Sequence, residues 1–186
     1  MIKAFFAAII GSIIAFAWSS ISWIALPFHI DNLNQFTNES AVVEAMKAGA
    51  DESGIYIIPG DQSLSQEAKD EAIATGPFVF ASVRPGPDAD YSMNKSLFRA
   101  FTATLVCGFI FAILLGAVAP RLNYIGRVFY VLLIAALIGI AGMYPNQIWW
   151  EFSSGHVLWG MLDIVIGWGL AALVMAGMIN GKSAAE

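Results

Sequence analysis

Four long apolar runs dominate the chain, at Ala4–Leu26, Ala100–Val118, Val128–Met143 with its flanks, and Val157–Ile179. A hydrocarbon core of about 30 Å needs about 20 apolar residues in helical form, so each run predicts a transmembrane helix. The first run resembles a secretory signal, with Lys3 ahead of it and Ala15-Phe16-Ala17 imitating a cleavage site. It continues to Leu26, however, past the apolar core of about 7–15 residues that such signals carry. It therefore reads as a retained first helix.

Between the first two runs, from 27 to 96, the pattern changes to short polar and apolar alternations. Thr37-Asn38-Glu39-Ser40 supplies cap residues for a helix over Ala41–Lys47, and Gly49 supplies a stop. Gly54–Ile58 is rich in β-formers and ends at Pro59-Gly60, predicting a strand and turn. Ser63-Leu-Ser-Gln66 has capping-box spacing and predicts a polar helix running to about Thr75, closed by Gly76-Pro77. Phe78–Val83 predicts a second strand, ending in the turn-rich Arg84–Asp88. About 70 residues with two strands bury little alone, so this segment is expected to rest on the ends of the bundle. The expected fold is an all-α membrane protein: a four-transmembrane-helix bundle (helix 1 in 1–26, helices 2–4 in 97–186) with a small α+β extracytoplasmic insertion at 27–96.

Composition agrees with the periodicity. Of 186 residues, 58% are hydrophobic and 12% charged, about half the charged fraction of soluble domains. Basic residues near helix ends set orientation. Lys3, Arg121, Arg127 and Lys182 mark three regions as cytoplasmic, whereas residues 27–96 carry eleven acidic against four basic side chains. The Tyr144–Gly155 connection has no Lys or Arg. Both termini are expected inside a bacterial inner membrane, with 27–96 periplasmic. No basic cluster with interleaved aromatics points to nucleic acid. The single cysteine, Cys107, excludes an intrachain disulfide and a CxxC pair and reads as a packing residue.

Asp163 lies alone within the last apolar run. A carboxylate at a helix centre costs roughly 2.5–3.5 kcal/mol on insertion scales, so it requires a buried partner or a polar cavity. Its helical face collects His156, Trp159, Gly160 and Gly167, and the glycines admit a close neighbour. Arg99 is the most economical partner, with Thr102 and Thr104 as further hydrogen-bonding groups. Asp163, Arg99 and His156 thus form the expected intramembrane polar site. The plainer role is to fix helix packing; the functional one is a proton relay or ligand site.

His29 and His156 are the only histidines, both at expected outer boundaries, with Asp31 and Glu151 near in sequence. Imidazole and carboxylate could hold zinc, but no HxxxH, HxH or HExxH spacing is present, and interfacial imidazoles are the plainer reading. No metal, haem or other cofactor is expected. Trp18, Trp23, Trp149, Trp150 and Tyr144 read as an interfacial aromatic belt, with a quinone or lipid pocket as the sharper alternative. Ser19, Ser20 and Ser22 enrich the first helix in hydroxyls without a nucleophile motif. Small residues at four-residue spacing (Gly108, Ala112 and Gly116; Ala135 and Gly139; Gly167 and Ala171) predict close-contact seams.

The stretches Trp18-Ser-Ser-Ile-Ser-Trp-Ile-Ala-Leu-Pro27, Gly54-Ile-Tyr-Ile-Ile-Pro-Gly60, Gly76-Pro-Phe-Val-Phe80, Trp149-Trp-Glu-Phe152 and Asp163-Ile-Val-Ile-Gly-Trp-Gly-Leu-Ala-Ala-Leu-Val174 resemble a family of small bacterial inner-membrane proteins. In that family a histidine tends to follow the Ile-Ser of the first helix; Trp23 stands there in this chain, which weakens a metal reading. The resemblance implies four helices, an external insertion and an acid in the last helix, and it brings no activity or catalytic residues. The leading expectation is a non-enzymatic accessory or scaffold component of an envelope complex, with the lipid bilayer and a partner subunit or second copy as its neighbours. The alternative is a small transporter, or a protein binding a proton, quinone or lipid through Asp163.

Overall fold

All four apolar runs fold as helices in the computed structural model, which describes residues 2–180; Lys182, invoked above for orientation, lies outside them. The helices are α1 (Ile2–Ala25), α4 (Met93–Val118), α5 (Tyr124–Trp150) and α6 (Ser154–Met178). Each is long and apolar enough to cross a membrane. Two run beyond the predicted spans. Met93–Arg99 adds nearly two turns to the start of α4, and α5 continues through Pro145 to Trp150, so most of the expected 144–155 connection is helical. A proline inside a helix removes one amide donor, yet α5 persists. Asn123 caps its start, accepting from the Gly126 amide at 2.8 Å, and Glu151 ends it in the left-handed region at φ 55°. Ser153 then caps α6, accepting from the His156 amide at 3.3 Å. The reversal between the two helices is therefore only three residues long.

Small residues decide how the helices meet. Water cannot drive apolar helices together within lipid, so close backbone approach and packing must do so. A methyl group on Gly108 of α4 would overlap Ser12 Oγ and lie 2.8 Å from the Ala8 carbonyl oxygen on α1. Gly139 of α5 would bring one to 3.4 Å from the Met161 backbone on α6. Gly167 meets Trp18 and the Ala15 carbonyl, while Ala171 is fully buried. The predicted seams are thus internal, with one exception: Gly116 is exposed and has open space beside it. The core gathers Ala7, Ala8, Ala112, Ala135 and Ala172 around Phe111, Leu115, Trp168 and Met175. Helix α1 packs on α4 and α6, and α6 packs on α5, but α4 and α5 meet only sparsely. A gap in the ring of helices results.

Arg127, read above only as an orientation signal, is buried near the start of α5. Its Nη1 donates at 2.9 Å to the Ile179 carbonyl at the end of α6. A cation there satisfies a terminal carbonyl and complements the helix dipole.

The segment Asn34–Tyr91 forms a second compact unit. Helix α2 (Glu39–Gly49) starts at Asn38, whose side chain accepts from the Ala41 amide. Strand β1 (Gly54–Ile58) pairs antiparallel with β2 (Val79–Val83), with Gly54 opposite Val83 and Ile58 opposite Val79. Between them, α3 (Gln66–Thr75) is capped by Ser65, which accepts from Ala68, and not by Ser63. Asp61 takes both the amide and the hydroxyl of Ser63, at 2.8 and 2.7 Å, so the predicted capping box cannot form. Gly76 ends α3 at φ 68°, a conformation that favours glycine.

The compact division also falls inside the expected 27–96 boundaries. Pro27–Leu33 groups with the helices, because it turns back onto α6 through side chains described next.

Candidate functional site

Beyond α1, Pro27 reverses the chain and a single 3₁₀ turn, Ile30–Asn32, follows. Three side chains fasten this reversal to the helices. The Phe28 ring stacks on Trp159, with centroids 4.0 Å apart. Asn32 donates to the Phe28 carbonyl at 2.7 Å and lies against Gly155, where a methyl group would overlap its Oδ1. His29 is drawn inward, 2% exposed, with its ring stacked on Trp23 at 4.0 Å.

The carboxylate of Asp163 meets this reversal. Trp18 Nε1 donates to Asp163 Oδ1 at 2.7 Å, and His29 Nε2 stands 3.4 Å from Oδ2. Ser22 Oγ lies 3.1 Å from the same imidazole nitrogen. The Asp163 side chain is 11% exposed. The geometry follows from periodicity: Trp18 and Ser22 are four residues apart and share one face of α1, and Gly167 leaves room on α6 for the Trp18 indole. His29 Nδ1 is buried with no hydrogen-bond partner.

Beside the pair is a cleft of about 390 Å³. All four long helices contribute to it: Ser19 and Trp23 from α1, Thr104 and Cys107 from α4, Met143 from α5, and His156 and Asp163 from α6. Cys107 is exposed. Because α4 and α5 barely touch, the cleft has walls on both sides of that gap. His156, in the first turn of α6, also keeps Nδ1 buried without a hydrogen-bond partner.

The three expected site residues separate. Asp163 and His156 line one cleft, whereas Arg99 is exposed on α4 and forms no ion pair with Asp163. Arg99 sits within the first two turns of α4, and Asp163 Oδ1 already accepts from Trp18. Thr102 and Thr104 donate to carbonyls of their own helix, Phe98 and Ala100, and not to the carboxylate. Trp18, read above as part of an aromatic belt, donates to the Asp163 carboxylate. Trp23 is 45% exposed and backs His29, and Trp149 is 69% exposed; Trp150 is half-buried. Among the described residues, no three His, Cys, Asp or Glu side chains gather closely enough to hold a metal ion.

The roles of Trp18, Ser22 and His29 around Asp163 escaped sequence reasoning. The available signal was an indole and a hydroxyl at helical spacing, followed by a proline that returns the chain to the bundle.

Four helices of this length and apolarity define the chain as multi-pass membrane protein in character. No protein-family model, curated protein or solved structure matches it.

Proposed function

We propose that this chain is a multi-pass membrane protein that binds a lipid-soluble small molecule in the cleft beside Asp163. One observation carries this reading: the only carboxylate within the four spans borders an open cleft together with both histidines of the chain. Packing alone would call for a filled interface there. The volume falls within the range of small-molecule sites, about 300–1,000 Å³, and the sparse α4–α5 contact gives entry from the bilayer. On the charge asymmetry of the sequence, the membrane is a bacterial inner membrane, both termini are cytoplasmic, and the Asn34–Tyr91 unit is periplasmic. The stretches quoted above support membership of the small inner-membrane family.

The test is native mass spectrometry of the protein extracted in mild detergent. A bound lipophile is expected in the natural chain and absent from Asp163→Asn that stays folded in the same detergent. If Asp163→Asn instead lowers stability and the natural chain carries no ligand, Asp163 serves packing only.

A second reading, an accessory subunit, rests on a separate feature. The Asn34–Tyr91 unit buries only Ala50 and has an apolar groove of about 590 Å³ lined by Val42 and Met46 of α2 and Ile57, Val79 and Ala81 of the sheet. A protein partner seated there would copurify stoichiometrically; a partner-free monomer in mild detergent overturns this reading.

A further inference from the structure

Arg127 is a buried cation that lacks a counter-charge. Only 9% of it is exposed; Nη1 bonds the Ile179 carbonyl at 2.9 Å, and Nε is enclosed with no hydrogen-bond partner. Nη2 is neither bonded to a described residue nor enclosed, so one edge of the guanidinium stays open to the surface. A guanidinium stays charged in proteins, and one is rarely buried unless an anion faces it. No carboxylate among the described residues forms an ion pair with it.

The fold keeps every acid of the bundle away from it. Among the described residues of the helical unit, the acids are Asp31, Glu151 and Asp163. Glu151 closes the end of α5 opposite Arg127. Asp163 precedes Ile179 by sixteen positions, about 24 Å along α6 at 1.5 Å per residue. Asp31 adjoins Asn32, which lies against Gly155 at the start of α6. The Arg127 end holds bases instead. Helix α1 runs antiparallel to α6, with Gly11 beside Met175 and Trp18 beside Gly167, which puts exposed Lys3 at the Ile179 end. Arg121, also exposed, stands just before α5. Helix dipoles do not substitute for an anion. The carbonyl end of α6 supplies about half a negative charge, but Arg127 also stands in the first turn of α5, where about half a positive charge opposes it.

We infer that Arg127 binds the phosphate of an anionic membrane lipid. A guanidinium edge suits an oxyanion, and a site where two spans end lies at headgroup depth. The cytoplasmic leaflet, where the proposed orientation puts this end, is the negatively charged one. The inference uses the membrane setting and is independent of the Asp163 cleft.

The experiment titrates the full chain in a mild neutral detergent with phosphatidylglycerol or phosphatidylcholine of matched acyl chains, and counts bound lipid by native mass spectrometry. Phosphatidylglycerol should bind at least about tenfold more tightly, the effect of a hydrogen bond to a charged group. Arg127→Met, which needs no counter-charge, should lose that preference. Lys3→Gln changes the net charge equally and should keep it, as should Asp163→Asn. Excess inorganic phosphate should not displace the lipid. Equal binding of the two lipids by the natural chain overturns the inference, whether or not Arg127→Met folds. Equal losses in Arg127→Met and Lys3→Gln overturn it in favour of diffuse attraction, and displacement by inorganic phosphate overturns it in favour of a free anion. A preference seen only in Glu186→Gln, a position outside the described residues, overturns it in favour of that carboxylate.

Discussion

Replacing Gly108 by alanine tests whether backbone contact between α1 and α4 builds the bundle, because the same helix carries its own control. Alanine gains about 1 kcal/mol over glycine in a helix wherever space allows. At Gly116 nothing lies within 4 Å of the added methyl, so Gly116→Ala should show that gain alone. At Gly108 the methyl overlaps Ser12 Oγ and approaches the Ala8 carbonyl to 2.8 Å. Ser12 can rotate away only by giving up its 2.7 Å bond to Ala8, and the carbonyl can move only if α1 moves. Overpacking of this kind costs about 1–3 kcal/mol. Since propensity cancels between the two variants, their stabilities should differ by about that amount, Gly108→Ala being the weaker. Reversible unfolding in mixed micelles of rising dodecyl sulfate content, followed by helical circular dichroism, measures the difference. Adding Ser12→Ala to Gly108→Ala should recover the share due to the hydroxyl and leave the carbonyl contact. Equal stability of Gly108→Ala and Gly116→Ala would refute the close crossing.

Two further outcomes are expected. Trp18→Phe removes the 2.7 Å donor to Asp163 and should cost about 1–2 kcal/mol, between the averages for hydrogen bonds in membranes and for bonds to charged groups. Much of that loss should vanish in an Asp163→Asn background, and fully additive losses would show that the two residues do not interact. Asp61, outside the spans, is held below the ordinary aspartate range by the Ser63 hydroxyl, then by the Ser63 amide. Its contribution is therefore present at neutral pH and disappears as pH falls through the lowered titration point. Ser63→Ala should move the Asp61 midpoint upward in a carboxyl NMR titration; an unchanged midpoint would remove the hydroxyl from the account.

Apolar run length was enough to find the four helices, and local chemistry found α2, α3 and both strands to within a few residues. Helix ends shifted where polar residues of adequate propensity extended an apolar run, as at Met93–Arg99. The Ser63 cap failed because a neighbouring acid competed for the same groups, a contest that spacing does not reveal. At the site, the need for an Asp163 partner was legible from its burial within an apolar run. The partner's identity was not. Arg99 was the cation expected at the same end of the bundle, but Trp18 reaches the carboxylate from the face of α1 and His29 approaches it through a chain reversal set by Phe28 and Asn32. Nothing in local pattern specifies that Phe28 will stack on Trp159.

The pairing of Trp18 with Asp163 spans 145 positions of sequence, and this has a consequence for biosynthesis. At about 5–20 residues per second, the ribosome makes Trp18, Ser22 and His29 roughly 7–30 s before Asp163 emerges. The donors are thus in place first, and the carboxylate enters last, into a bundle already equipped to receive it. A nascent chain halted before α6 would leave the Trp18 indole without the carboxylate it donates to.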